Sequence, residues 1–206
     1  MPNHTIFNER PESQDRALKV IEKLGYTIVP RSEAEKKRGS RRAVLFTEEL
    51  QSFLSHQTYQ FGTEERYFSG GSIAKAMQTM DQFSAAGLYA ENKTIYELLC
   101  AGKSMEEDLP DGTRQSFDLS FIDFEHPENN TFQVTDEFEV ERPNGKFARP
   151  DIVVLVNGIP LVVIECKKSS VDVMEGVNQN IRNWGEEYIP HLFRYSQLVI
   201  AVNPDK

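Results

Sequence analysis

The sequence predicts an α/β fold in which a mixed central sheet is flanked by helices and carries an inserted helical region. Three observations lead to this prediction. Residues 11–24 have the apolar spacing of a helix, strand patterns dominate from residue 115 onward, and a second helical pattern precedes the last apolar run. This order of elements is typical of helices packed on a sheet that contains both parallel and antiparallel strands.

The first half of the chain begins with a predicted helix at residues 11–24. Its apolar positions recur at helical spacing and lie at Ala17, Leu18, Ile21 and Leu24. Gly25 supplies a C-terminal stop, and residues 26–30 follow as a short strand. Residues 31–110 are predicted to be an insertion of helices and loops, with the better helical candidates at 48–54, 72–83 and 95–99.

The second half is predicted to form most of the sheet. Strand patterns occur at residues 116–124, 131–140, 152–156, 161–164 and 198–202. The runs 152–156 and 161–164 are rich in β-branched residues and almost wholly apolar, so they are typical of central strands covered on both faces. Residues 171–184 are predicted to be a helix that crosses over the sheet between the last two strands.

Composition and charge limit the classes of protein to consider. Hydrophobic residues make up 39% and charged residues 27% of the chain, which is typical of a globular protein. No apolar run approaches the ~20 residues that span a bilayer, and we see no secretion signal, so we expect a cytoplasmic protein without membrane contact. Cys100 and Cys166 lie far apart and indicate neither a disulfide framework nor a zinc ribbon.

The net charge of -9 lacks the basic character of a free-standing DNA-binding protein. One local basic run lies at residues 31–42 and contains Lys36, Lys37, Arg38, Arg41 and Arg42. The run has two interpretations, a solvated loop or a local anion-binding patch.

The candidate chemistry lies where two apolar strand runs meet charged residues. Strand side chains alternate between faces, so Glu165 and Lys167 share the face of Val163, whereas Cys166 points the other way. Buried charges at such a position are costly unless they are paired or bind a metal ion.

Asp151 joins this group only in a particular hairpin register. A strict two-residue turn at Asn157-Gly158 would place Asp151 opposite Ile164, on the wrong face. A three-residue loop at 156–158, or an equivalent bulge near Asp151, corrects this. With that loop, Asp151 lies diagonal to Glu165 at roughly 7–8 Å between Cα atoms.

Two carboxylates without histidine or paired cysteines favour Mg²⁺ or Mn²⁺ over zinc. The Cys166 carbonyl is a plausible third ligand, and Lys167 can orient an attacking water or stabilise charge on a phosphate. As spacing alone, D-x13-E-x-K is a weak signal, and the alternative is a surface strand end with an incidental Glu-Lys pair. The flanking features favour a second interpretation, a metal-dependent nuclease site that cuts phosphodiester bonds. These features are the Pro before Asp151, the hairpin, the apolar strands and the following helix.

The stretch RPDIVVLVNGIPLVVIECKKS resembles the nuclease motif in the N-terminal domain of the motor (R) subunit of type I restriction enzymes. This domain belongs to the P-D…(D/E)-x-K nuclease superfamily. Further similar segments lie in order at residues 95–102, 122–140, 189–193 and 200–203. The resemblance implies a restriction-endonuclease-like core at about 115–206 together with the first helix at 11–25, in a single nuclease domain over 1–206.

The resemblance also implies roles for individual residues. Asp151 and Glu165 match the metal ligands, and Lys167 matches the catalytic lysine. Members of the family commonly carry a Q-x-x-x-Y element on the following helix. Gln179 matches its glutamine, but Asn183 replaces its tyrosine. The element is therefore interpreted either as a DNA contact or as an exposed polar helix face. Glu12 is interpreted either as an auxiliary acid of the site or, with more support, as a favourable acid at a helix N-terminus.

The function implied is a Mg²⁺-dependent endonuclease domain, in which Mn²⁺ can substitute, that hydrolyses DNA phosphodiester bonds. In the full subunit, cutting would follow ATP-driven translocation by a motor beyond Lys206, and ATP would not bind to this fragment. Methylation and specificity subunits would be partners through the full subunit. Two alternatives are an inactive nuclease-fold module that docks or holds DNA, and a stand-alone nuclease of the same superfamily. We expect little or no binding of free duplex at physiological salt.

Overall fold

The computed structural model describes residues 12–82 and 86–204 of the chain. The helices are α1 (Glu12–Lys23), α2 (Arg31–Arg38), α3 (Thr47–Ser55), α4 (Gly70–Asp81), α5 (Leu88–Ala101), α6 (Val173–Asn183) and α7 (Pro190–Phe193). The strands are β1 (Thr27–Ile28), β2 (Thr58–Phe61), β3 (Glu64–Tyr67), β4 (Lys103–Asp108), β5 (Arg114–Leu119), β6 (Phe132–Asp136), β7 (Val140–Glu141), β8 (Phe147–Ala148), β9 (Ile152–Val156), β10 (Ile159–Cys166) and β11 (Leu198–Val202). None of the helices in these ranges combines the length and apolar character needed to cross a bilayer.

Five strands form the central sheet, in the order β1-β6-β9-β10-β11. The three inner strands pair antiparallel, whereas β1 on β6 and β11 on β10 pair parallel. The predicted mixed sheet is therefore confirmed. Because β10 and β11 run in the same direction, the chain must cross over between them, and it does so through α6 and α7 as the sequence indicated.

The two faces of the sheet bury different apolar side chains. One face carries Val153, Leu155 and Val163, which pack into a large core shared with α2 to α5. The opposite face carries Val154 and Ile164, which pack against α1 through a smaller cluster. Both central strands are thus covered on both faces, which explains why their sequences lack the apolar-polar alternation of a half-exposed strand.

The hairpin of β9 and β10 differs from the expected three-residue loop. Its turn has two residues, Asn157 and Gly158, both with positive φ (50° and 78°) as primed hairpin turns require. The shift of register comes instead from a bulge within β10, where pairing skips Leu161. Pro160 is the sequence signal for this feature, because a proline within a central strand is typical of a bulge.

The bulge changes which residues face each other at the far end of the hairpin. Beyond it, Val153 pairs with Val163 and Ile152 pairs with Ile164. Continued by one residue, this register places Asp151 directly across from Glu165 rather than diagonal to it. The expectation of an odd-residue correction was right, but the bulge lies beside the turn and not near Asp151.

Several predicted elements have different bounds. The insertion contains a two-stranded hairpin, β2–β3, in addition to the predicted helices. The predicted strand at 131–140 ends at Asp136, because Glu137 adopts the left-handed conformation (φ 52°) and breaks the ladder. The chain then forms a separate small hairpin, β7–β8, before it enters β9.

Candidate active site

Three strand ends meet at one edge of the sheet and bring the candidate residues together. β6 and β10 end there, and β9 begins there. Asp151 immediately precedes β9, Glu165 is the last but one residue of β10, and Lys167 follows β10. The Cys166 backbone N–H donates to Asp151 Oδ2 at 2.7 Å, and Lys167 Nζ lies 3.7 Å from Glu165 Oε2.

The Glu165 carboxylate is buried without compensation by hydrogen bonds. Its residue is 0% exposed, and neither carboxylate oxygen has a hydrogen-bond partner among the described residues. Burial, and next the negative charge of Asp151, raise the pKa of Glu165 to about 8, although the Lys167 ammonium opposes this shift. A buried acid without donors is costly in its ionised form unless a cation approaches it.

Asp151 occupies a similar environment. Burial raises the pKa of its carboxyl, and the hydrogen bond from the Cys166 N–H partly offsets the rise. The Glu137 N–H donates to the Asp151 carbonyl at 2.9 Å, so the left-handed residue lies beside the site. The Glu137 carboxylate pairs with Arg149 Nε at 2.8 Å. No sequence pattern indicated this Glu137–Arg149 pair.

Lys167 is held by the crossover helix. Its Nζ donates to Gln179 Oε1 at 2.6 Å, and its backbone N–H donates to Val202 O at 2.8 Å. Asn183, one turn further along α6, is buried. The interpretation of Gln179 and Asn183 as an exposed polar helix face is therefore wrong, because one residue binds the lysine and the other lies inside the fold.

The N-terminus of α1 contacts the backbone of two of the three catalytic candidates, Asp151 and Lys167. Ser13 Oγ donates to the Lys167 carbonyl at 2.8 Å, and Gln14 Nε2 donates to the Asp151 carbonyl at 3.1 Å. Both side chains are buried. We name Ser13 and Gln14 the α1 brace, since they connect the two sides of the hairpin's open end. Glu12 begins α1, but its side chain lies outside the described part of the molecule.

Gly176 allows α6 to approach the site closely. A Cβ atom at this position would lie 3.0 Å from Ala201 Cβ, 3.4 Å from Lys167 Cε and 3.5 Å from Glu165 Cβ. A glycine inside a helix costs roughly 1 kcal/mol relative to alanine, so its presence is consistent with a requirement for close packing. The sequence offers a signal for it only in retrospect, as an isolated glycine within the predicted helix.

The donor chemistry fits a hard divalent cation. Two carboxylates converge, and one of them has two buried oxygens without partners. Mg²⁺ in proteins is commonly held by one or two carboxylates, and water completes its coordination. Within residues 12–82 and 86–204, no group of three or more His, Cys, Asp or Glu side chains is arranged to hold a metal ion. Any further ligands would therefore be backbone carbonyls, such as that of Cys166, or water. The Cys166 side chain lies in the cluster on the α1 face, as predicted.

The basic run at residues 31–42 is neither a plain loop nor a free patch. Its first part forms α2, and four of its cations pair with carboxylates of the segment 139–141 and of α3. The ion pairs are Arg31–Glu139, Arg41–Glu139, Arg42–Glu141 and Lys37–Glu49. Carboxylates thus compensate these cations, which connect the insertion to the β7–β8 region.

The fold and the site define a mixed-sheet α/β domain with the acidic pair and lysine of the P-D…(D/E)-x-K pattern. Residues 6–206 match the family described as type I restriction enzyme R protein N terminus, and the chain belongs to this family.

Named relatives agree with this assignment. The chain is 29% identical over 203 residues to the type I restriction enzyme HindI endonuclease subunit of Haemophilus influenzae. The matched region covers 95% of the chain and 18% of that subunit. It is 42% identical over 85 residues to the SsaAORF53P endonuclease subunit of Staphylococcus saprophyticus, which covers 41% of the chain and 9% of that subunit. The chain therefore spans less than a fifth of the length of these relatives.

Proposed function

We propose that this chain is a Mg²⁺-dependent endonuclease domain that hydrolyses DNA phosphodiester bonds. The observation that carries the proposal is the buried Glu165 carboxylate, which has no hydrogen-bond donor and lies beside Asp151 and Lys167. Folding would not favour this arrangement for its own sake, because two acids that share a buried site repel each other. A divalent cation between them removes the repulsion.

Each residue of the candidate site would have a distinct role in hydrolysis. Asp151 and Glu165 would hold the ion, with the Cys166 carbonyl as a third ligand. When bound, Mg²⁺ supplies a water of lowered pKa and neutralises charge on a phosphate oxygen. The Lys167 ammonium, held by Gln179, is placed to orient the attacking water or to stabilise the negative charge that develops on the phosphate.

Activity in the complete protein is part of the same proposal. The relatives are named endonuclease subunits of type I restriction enzymes and are several times longer than this chain. We propose that a following motor domain binds ATP and translocates DNA, that cutting follows translocation, and that methylation and specificity subunits supply recognition. The net charge of -9 supports this division, because such a domain need not capture DNA by long-range attraction. Finding a motor domain downstream in the gene would eliminate the stand-alone nuclease alternative.

Calorimetric titration with Mn²⁺ tests the proposal directly. We expect wild type to bind the ion, Glu165→Gln to lose binding, and Lys167→Gln to retain it. Glu107→Gln is the matched control, because Glu107 is also buried but accepts hydrogen bonds from Ser69 and lies on β4. A wild-type chain that binds neither Mn²⁺ nor Mg²⁺ would leave only a non-catalytic nuclease fold.

A further inference from the structure

Two arginines lie over one tyrosine at the end of the crossover helix. The Arg142 guanidinium carbon is 3.9 Å from the centre of the Tyr188 ring, and that of Arg182 is 5.8 Å from it. Arg142 Nε also donates to the Glu187 carbonyl at 3.2 Å. Tyr188 is therefore a half-buried support for two cations. We name these three residues the Arg-Tyr-Arg cluster.

Arg142 and Arg182 differ from most other arginines of the described ranges in their lack of acidic partners. Within the described ranges, neither Arg142 nor Arg182 forms an ion pair with a carboxylate. Seven other arginines do form ion pairs with carboxylates, and these are Arg31, Arg41, Arg42, Arg66, Arg114, Arg149 and Arg194. In a chain of net charge -9, two adjacent cations without carboxylates are available for an external anion.

The β7–β8 hairpin and α6 connect the cluster to the candidate active site. The β7–β8 hairpin leaves and re-enters the sheet between β6 and β9, at the end where Asp151 lies, and Arg142 follows directly after β7. Arg182 comes three residues after Gln179, so both lie on one face of α6, and Gln179 binds Lys167. A ligand that reaches Lys167 along this face of α6 would meet the cluster next.

We propose that Arg142 and Arg182 bind backbone phosphates of duplex DNA beside the bond that is cut. This inference rests on the proposed function, and it adds a binding surface to it. A guanidinium stacked on an aromatic ring keeps the edge formed by its two Nη groups free for two parallel hydrogen bonds to a phosphate, also in Arg142, whose Nε donates to Glu187, and the ring holds the side chain in place. The exposed Glu186 and Glu187 reduce the local field, so the cluster acts by direct contact and not by long-range attraction.

The test measures DNA binding in the absence of divalent metal. Fluorescence anisotropy of a short labelled duplex is recorded over a salt series in EDTA with wild type, Arg142→Gln, Arg182→Gln and the control Arg114→Gln. Arg114 is an exposed arginine on β5 that pairs with Asp108, so its replacement changes net charge equally. We expect each cluster variant to bind roughly 3- to 10-fold more weakly at low salt and to reduce the slope of log affinity against log salt by about 1, while the control matches wild type.

Three results would overturn the inference. The first is that Arg182→Gln binds duplex as Arg114→Gln does, and the second is that wild type shows no salt-dependent binding. The third is that only Arg142→Gln weakens binding and that its urea midpoint falls in parallel. The cluster would then only stabilise the β7–β8 hairpin.

The outcome is separable from that of the nuclease proposal, because binding in EDTA requires no metal. Wild type that binds duplex through the cluster but does not bind Mn²⁺ would reject the nuclease proposal alone. A chain that binds Mn²⁺ normally, with Arg182→Gln equal to wild type in DNA binding, would reject the cluster alone.

Discussion

Glu165→Gln should abolish the stabilisation of the protein by a divalent metal ion and remove the contribution of residue 165 to the pH dependence of stability. The folded-state pKa of Glu165 is about 8, compared with 4.5 for an unburied glutamic acid. Between these values the folded chain holds a proton that the unfolded chain has released. The contribution of Glu165 to the free energy of unfolding of metal-free wild type must therefore fall as pH rises through this window.

The size of the effect follows from the same pKa. One proton of difference changes the free energy of unfolding by about 1.36 kcal/mol per pH unit, so the contribution of Glu165 falls by roughly 2 to 3 kcal/mol between about pH 5 and pH 7. A divalent ion that takes the place of the proton restores stability, by about 2.7 kcal/mol when its concentration is 100 times its dissociation constant. Glutamine has the shape of the neutral acid but cannot ionise.

Urea unfolding of wild type and Glu165→Gln across this pH range, in EDTA and again with Mn²⁺, measures both effects. His191 contributes an opposite slope, because burial lowers its pKa to about 4 and the folded chain then binds fewer protons than the unfolded chain below its ordinary pKa of 6.5. That contribution is common to both proteins, so it cancels in the difference between them. Glu107→Gln should keep the pH slope and the response to Mn²⁺.

A wild-type curve that differs from the Glu165→Gln curve by a constant amount at every pH would refute the reasoning. It would mean that the Glu165 carboxyl titrates equally in the folded and unfolded chains. Retention of the Mn²⁺ response by Glu165→Gln would separately refute the assignment of Glu165 as a ligand.

Two further substitutions and one deletion test the support of the site. Gly176→Val should lower stability by about 1–3 kcal/mol and reduce DNA cleavage, because its Cβ would begin 3.0 Å from Ala201 Cβ and displace α6; urea unfolding and a plasmid-nicking assay measure this, and unchanged activity would contradict it. Gln14→Leu removes the donor to the Asp151 carbonyl, so we expect a loss of about 1 kcal/mol and weaker Mn²⁺ binding by calorimetry, whereas equal affinity would make the brace purely structural. Deletion of Leu161 removes the bulge residue but leaves Val162 opposite Val154, so Asp151 should still face Glu165 and Mn²⁺ binding should be retained; loss of binding by a chain that circular dichroism shows to be folded would mean that the bulge shapes the site beyond setting the register.

Much of the fold could be predicted from local patterns. The two β-branched runs 152–156 and 161–164, the crossover helix and the last strand are all present, because each depends on periodicity within one segment. The prediction was less successful where tertiary contacts break a pattern. The strand at 131–140 stops at Asp136, and the β2–β3 hairpin lies in a region predicted to be helices and loops.

In the candidate site, too, local sequence patterns predict some features and tertiary contacts set others. The common face of Glu165 and Lys167 follows from strand alternation alone, and so does the opposite position of the Cys166 side chain. The α1 brace lies more than a hundred residues away in sequence from the backbone groups it binds, so no local pattern could indicate it.

The sequence by itself determined the kind of protein, because strand period, turn residues and the order of charged side chains are properties of short segments. Only the tertiary structure decided that Asp151 faces Glu165. The position of Asp151 across from Glu165 depends on a single unpaired residue, Leu161, and on how β9 and β10 align along their whole length. It also decided that Gln179 holds Lys167 and that Arg142 meets Arg182 over one ring, since those contacts join elements that the chain order keeps apart.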